Sequence, residues 1–316
     1  MVLVLINVII FAIIGIARPT AFLNWLNIKA ILSLMSYDLL LAVGITVVLI
    51  LRGIDLSIGS VLALTSVIMA LMMRADMPVL LSLFAGLVLA VACGLLNGVL
   101  IARLQLLPFL VTLGMMSLAR GIATVMTSGQ YISFPNTAEW FIAFGRAEIP
   151  FWKTETMTYG FPVPLLIALI VVAVFGYFLT NWKPLRQMFF IGQNAEAAKL
   201  AGLNVVQITV IGYVICALFV WLASVLMISS NRIGYANYGI QSEMRAIAAA
   251  VVGGASFFGG SGSIPGTFLG VLMLALIGNG FILLAGDPNW QQATTGLVLI
   301  LAVAVDAIRT FRERKN

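Results

Sequence analysis

Two short polar stretches interrupt an otherwise apolar chain, and both carry side chains able to do chemistry. The first is LRGIDLSIGSVLAL, residues 51–64, where Arg52 and Asp55 flank a glycine break followed by Ser57, Gly59 and Ser60. A carboxylate beside membrane-depth sequence is costly and is a functional candidate by default. Asp55 could equally cap the next helix or pair with Arg52 near an interface, and these roles stay open at this point. The second is FFIGQNAEAAKLAGLN, residues 189–204. Asn194 is a plausible N-cap, Glu196 suits the positive end of a helix dipole, and Ala195, Ala197, Ala198 and Leu200 favour helix. Lys199 falls near the negative end and Gly202 is a natural stop. About two turns are expected, too few to persist alone in water, so neighbouring structure or a partner must hold them. The stretch is either a surface connector or a helix that docks in a partner's groove.

Two further stretches offer packing rather than reactivity. PFLVTLGMMSLARG, residues 108–121, places Thr112, Gly114 and Ser117 on a small-residue face, with Arg120 able to snorkel or to pair inside a bundle. EMRAIAAAVVGGASFFGGSGSIPGTFLG, residues 243–270, is rich in Gly and Ala, which suits close helix packing or irregular backbone lining a protein cavity. Asn97 and Asn279, polar side chains within apolar runs, join Asp55, Ser57, Thr112, Ser117 and Arg120 as pathway or structural candidates.

The elements that must position these residues follow from composition. Of 316 residues 62% are hydrophobic and 9% charged, with a mean hydropathy of +1.13. Soluble domains carry roughly 25% charged residues, and apolar runs near 20 residues mark transmembrane helices. The fold expected is an all-α polytopic transmembrane bundle, a single domain over 1–316. About ten spans are expected, near 2–17, 37–51, 55–74, 78–100, 108–127, 162–180, 205–228, 246–258, 264–285 and 293–309. The first lacks a basic start and a good cleavage site, and reads as a retained span.

Lysine and arginine near the span ends set orientation. The tail from 309, with Arg309, Arg312, Arg314 and Lys315, and the 181–204 loop, with Lys183, Arg186 and Lys199, fall on one side, with both termini cytoplasmic. The long loop 128–161 falls outside, where Glu139, Glu148 and Glu155 outnumber Arg146 and Lys153. Arg18, Lys29, Arg74, Arg232 and Arg245 also fall outside and count against this orientation. A faint parallel repeat pairs GSVLAL at 59–64 with GTFLGV at 266–271, and GLVLAV at 86–91 with GLVLIL at 296–301, ADMP and GDPN lying between.

The excluded classes are equally informative. There is no histidine, which removes the commonest metal ligand and the usual proton shuttle. No metal site and no catalytic constellation are expected. No G-x-x-x-x-G-K-[ST] motif is present to cradle ATP phosphates. Cys93 and Cys216 sit in apolar runs and read as small core residues. The net charge of +6 reads as orientation in lipid rather than nucleic-acid binding. An ion-coupled secondary transporter would need titratable groups at mid-membrane, whereas Asp38, Asp55 and Asp306 fall near expected span ends.

GIDLSIGS at 53–60, LNGVLIARLQLLPFLVTLGMMSLARG at 96–121, GQNAEAAKLAGLN at 192–204 and AIAAAVVGGASFFGGSGSIPGTFLG at 246–270 resemble, in this order, motifs of permease subunits of bacterial ABC importers. The family serves ribose, other monosaccharides and autoinducer-2. The hydrophilic lead usual there is missing here. The resemblance implies an inner-membrane permease that pairs with a second permease, identical or related. It implies a cytoplasmic ABC ATPase that carries the ATP and Mg, and solute delivered by a periplasmic binding protein. It assigns Asn194, Ala195, Glu196, Ala197, Ala198, Lys199, Leu200 and Gly202 to a coupling helix for that ATPase. It implies a pentose or similar polyhydroxy solute, and no cofactor in the chain itself.

Overall fold

The computed structural model describes residues 2–134, 138–154, 158–285 and 289–313. The tail charges Arg314 and Lys315, Glu155 of the long loop and most of the GDPN copy lie outside the described residues. The chain runs α1 (Val2–Ala17), α2 (Pro19–Phe22), α3 (Trp25–Ile50), α4 (Ile58–Arg74), α5 (Val79–Ala102) and α6 (Pro108–Thr127). A region of short elements follows, with β1 (Ile132–Ser133), α7 (Glu139–Arg146), β2 (Glu148–Lys153) and β3 (Thr158–Pro162). Then come α8 (Val163–Asn181), α9 (Lys183–Gln193), α10 (Ala195–Leu200), α11 (Val205–Asn231), β4 (Ile233–Gly234), α12 (Ser242–Val252), α13 (Ile264–Ala285) and α14 (Asn289–Glu313).

Among the described residues six helices are long and apolar enough to cross a membrane, namely α3, α5, α6, α8, α11 and α13. The shorter apolar helices α1, α4 and the 292–308 part of α14 fall on three more of the expected segments. At the centre α3 packs on α11. Every residue from Met35 to Ile50 except Asp38 is buried, as befits a helix apolar all round its circumference. By contrast α5 turns Leu80, Phe84, Val88 and Leu96 outward, a surface that suits lipid rather than water.

Two helices begin late, and the reason is backbone. After α3, Arg52 takes a φ of 62° and the chain runs without helix to Ile58. After α11, Arg232 takes a φ of 63°, and ten residues pass before α12 starts at Ser242. Helix α12 has 11 residues; at 1.5 Å per residue it reaches roughly 16 Å, about half a bilayer core. The expected span 246–258 is therefore a half-helix, which stops at Gly253 and enters a turn that leads to α13. The two late starts meet at Gly59 and Gly239. A Cβ on Gly59 would lie 2.1 Å from the Gly239 carbonyl oxygen, and Gly239 itself has a φ of +68°. Only glycine at both positions allows this crossing.

The region between α6 and α8 is tied down by aromatic packing. β2 and β3 form an antiparallel hairpin, and Trp25 at the start of α3 meets Phe151 and Tyr159 on it at 5.3 and 5.8 Å. Lys29 pairs with Glu148. β1 pairs antiparallel with β4, Ile132 opposite Gly234, which joins the segment after α6 to the strand that precedes α12.

Candidate functional site

The sequence FFIGQNAEAAKLAGLN forms the helix expected of it, α10. The Asn194 side chain accepts from the Ala197 N–H at 2.9 Å, Glu196 lies in the first turn and Lys199 in the last. At the far end Gly202 has a φ of +84°. Leu203 N–H donates to Ala198 O and Gly202 N–H to Lys199 O, both at 3.0 Å, so a Schellman turn closes the helix. Ala195, Glu196, Ala197 and Lys199 are exposed. Ala198 is buried within its own chain, and Leu200 is 91% exposed.

What holds this short helix is α9, which the sequence reading did not anticipate. Its Leu185, Met188 and Ile191 are buried; their three-residue spacing after Pro184 was the available signal. Behind it Gly192 lies against the end of α3, where a Cβ would fall 1.7 Å from Ile50 O. The same carbonyl accepts from Gly260 N–H at 2.9 Å. The α9–α10 unit thus abuts both the end of α3 and the turn between α12 and α13.

The polar candidates fall into separate groups. Asp55 Oδ1 accepts from the Ser57 N–H at 2.8 Å and from its hydroxyl at 2.5 Å, and Asn97 Nδ2 donates to Ser57 Oγ at 3.1 Å. Thr112 and Tyr213 hydroxyls each approach Ile54 O at 3.4 Å. Asp55, Ser57, Asn97 and Thr112 therefore converge on the break before α4. Asp55 braces a turn there and does not cap α4 itself, whose N-cap position is Ser57 with no side-chain cap bond. Among the described residues the ion pairs are Lys29–Glu148 and Arg245–Asp38, so Arg52 and Asp55 are not paired.

Arg120 settles inside the bundle, where its guanidinium donates to Ala236 O and, at 2.7 Å, to Tyr238 O. It thereby satisfies carbonyls of the non-helical strand before α12. Asn279 exchanges hydrogen bonds with Asn27 at 2.6 and 3.2 Å, a clasp between α13 and the start of α3. Ser117 is exposed and bonds only its own helix, at Leu113 O.

Asp38 corrects an expectation. The sequence reading placed it near a span end, but α3 begins at Trp25, twelve residues earlier than expected, so Asp38 lies at mid-helix. It faces Arg245 on α12, Nε to Oδ2 and Nη2 to Oδ1 both 3.4 Å, a side-on arrangement. Arg245 is accordingly no outer-loop charge. Asp306 accepts from Ser256 Oγ and Phe257 N–H at 3.0 and 2.9 Å, fixing the turn after α12 to α14. Among the described residues no group of three or more His, Cys, Asp or Glu is placed to hold a metal ion.

The family of branched-chain amino acid transport system permease components matches residues 27–303. The chain belongs to this permease family. The ribose import permease of Haemophilus influenzae is 35% identical over 301 residues, 95% of this chain and 90% of that one. The galactose/methyl galactoside import permease of Escherichia coli is 31% identical, covering 97% of this chain and 93% of that one. The D-allose transport permease of Escherichia coli is 32% identical over 95% and 89%. No solved structure is significantly similar. Within the permease family's matched region lie both late-starting helices, the Asp55 group and α10.

Proposed function

We propose that this permease is the membrane subunit of an ATP-driven importer that moves a small polyhydroxy solute, a pentose or related sugar, from periplasm to cytoplasm. Relatives over nearly its whole length are named for ribose, galactose and allose import. It resides in the inner membrane with about ten crossings and both termini cytoplasmic, α12 and its preceding strand together making one crossing. It pairs with a second permease and is driven by a separate cytoplasmic ATPase that holds ATP and Mg. A periplasmic binding protein delivers the solute.

The observation that carries this reading is α10. It is closed at both ends by its own caps, seated by α9 against α3, and presents Leu200 outward. An exposed leucine on a braced polar helix suits a socket on a partner, and the brace leads any displacement into α3 and the turn after α12. Coupling is thereby assigned to Asn194–Leu200 with Gly202 as the stop. The mid-helix Asp38 could suggest ion coupling, but its charge is matched by Arg245.

The test is uptake in proteoliposomes containing permease, ATPase and binding protein, screened over pentoses, hexoses, polyols and autoinducer-2. Uptake is expected to need both ATP and the binding protein. Uptake driven by a sodium or proton gradient without ATP would overturn the reading.

A further inference from the structure

The β2–β3 hairpin carries an apolar surface that the fold leaves uncovered. Ile149, Phe151 and Trp152 on β2 and Phe161 on β3 are all exposed, Trp152 by 65%. A lone two-stranded hairpin is marginal in water, and an aromatic surface with two open strand edges is an aggregation liability there. Two continuities of the chain fix the level at which the hairpin lies. β3 ends at Pro162 and α8 starts at Val163, with no residue between them. Helix α8 has 19 residues, roughly 28 Å, close to the thickness of a hydrocarbon core, so Pro162 stands at the edge of that core. Helix α3 has 26 residues, roughly 39 Å, which carries its first turn beyond the core into the headgroup zone. At that turn Trp25 meets Phe151, Tyr159 and Phe161, ring centroids 5.3, 5.8 and 6.4 Å away. One turn further along α3, Lys29 pairs with Glu148 at the root of β2. An ion pair flanked by Trp, Tyr and Phe is the composition of a membrane–water interface. Leu23 and Leu26, on either side of Trp25, are exposed as well and add to the apolar surface at this level.

We propose that the β2–β3 hairpin is an interfacial anchor, its Ile149, Phe151, Trp152 and Phe161 seated among the headgroups and upper acyl chains of the leaflet at which α3 and α8 begin. Lipid is the occupant because the hairpin grows directly out of one spanning helix and packs on the first turn of another, which places its apolar surface at the bilayer boundary before any partner arrives. The depth is limited as well. Open strand edges are not tolerated in the hydrocarbon core, where water cannot satisfy them, but they are tolerated among hydrated headgroups. Trp152 suits that zone, since an indole is apolar over its body and polar at its N–H. Lys153 ends β2 exposed, and its stem can lie along apolar surface while the ammonium meets a phosphate. Through Trp25 and Lys29 the anchor would fix the height of α3, the helix at the centre of the bundle. This inference rests on the membrane location of the chain and is independent of the solute it carries.

The experiment places a nitroxide at Ile149→Cys or at Trp152→Cys, one site at a time, in the full chain in phospholipid nanodiscs. Cys93 and Cys216 are buried, so the label goes to the introduced thiol. Collision of the nitroxide with oxygen, which concentrates in lipid, is compared with collision with a nickel chelate, which stays in water. Oxygen should win severalfold at both sites. Faster collision with the chelate puts the hairpin in water and overturns the proposal. Slow collision with both probes means that protein covers the hairpin, a second copy or another chain, and overturns it equally. Because a labelled variant can fail to fold, the native side chain gives a second reading. The fluorescence that Trp152→Phe removes from the wild-type signal is the share owed to Trp152. That share should be quenched by lipids brominated high on the acyl chain and spared by aqueous iodide. Quenching by iodide with none by brominated lipid would remove the anchor.

Discussion

Asp55 shows how a single side chain can organise a break in a helix. Its Oδ1 takes both the N–H and the hydroxyl of Ser57, and Asn97 completes the chain of bonds. An amide oxygen can accept the same two bonds, so Asp55→Asn is expected to leave expression and transport near wild type. Asp55→Leu leaves buried donors without an acceptor, which costs about 1–3 kcal/mol, and should lower the melting temperature and transport together. Thermal melts and uptake assays on both variants check this; an Asn variant that folds normally but does not transport would show that the charge itself is used. The type of this residue was legible in sequence, as was the glycine break around it. Its partner Asn97, 42 positions away, was legible only as a polar residue in an apolar run. Asp38 was misplaced because its span was expected to begin near 37, whereas α3 begins at Trp25, with Lys29 paired to Glu148 and Asn27 bonded to Asn279.

Among the elements, α10 was the most readable because capping is local chemistry. Asn194, Glu196 and Gly202 each act within a few residues of themselves, and the caps formed as the residue types require. The seating of α10 was not readable, since it depends on Gly192 meeting Ile50 and Gly260 from distant parts of the chain. That seating decides which substitutions probe coupling. Ala198 is buried in its own chain, so bulk there disturbs the permease itself. Leu200 is free to meet a partner, and burying a leucine contributes about 1.5–3 kcal/mol. Leu200→Ala should therefore weaken association of the ATPase roughly tenfold while the permease melts at its usual temperature. Co-purification and ATPase titration measure this, and normal association would reduce α10 to a connector. The half-helix α12 was read as part of a span over 246–258, although the Gly-rich stretch 243–270 left irregular backbone open. Hydropathy cannot see that glycines at 254, 259 and 260 take positive φ.

At the scale of the whole molecule, orientation links the two functional ends. Reporters placed after Asn316 and near Gln193 should read cytoplasmic, and one at Gly129 should read periplasmic, by the distribution of lysine and arginine over an even number of crossings. Opposite signals from the first two would break that count. That helices able to cross a membrane recur along the chain was legible from apolar run lengths, but the crossing of the two late-starting helices was not, because it depends on Gly59 and Gly239, 180 positions apart. The Asp38–Arg245 pair carries a further consequence, for manufacture rather than transport. Its members are 207 residues apart. A ribosome adding about 5–20 residues per second delivers Arg245 roughly 10–40 s after Asp38 has entered the translocon. Throughout that interval α3 carries a carboxyl group without its cation, in a segment otherwise apolar enough to partition into lipid. A chain cut short before α12 never receives the cation, so the age of an incomplete permease is written on α3 as an unmatched charge, a mark that membrane quality-control machinery can read.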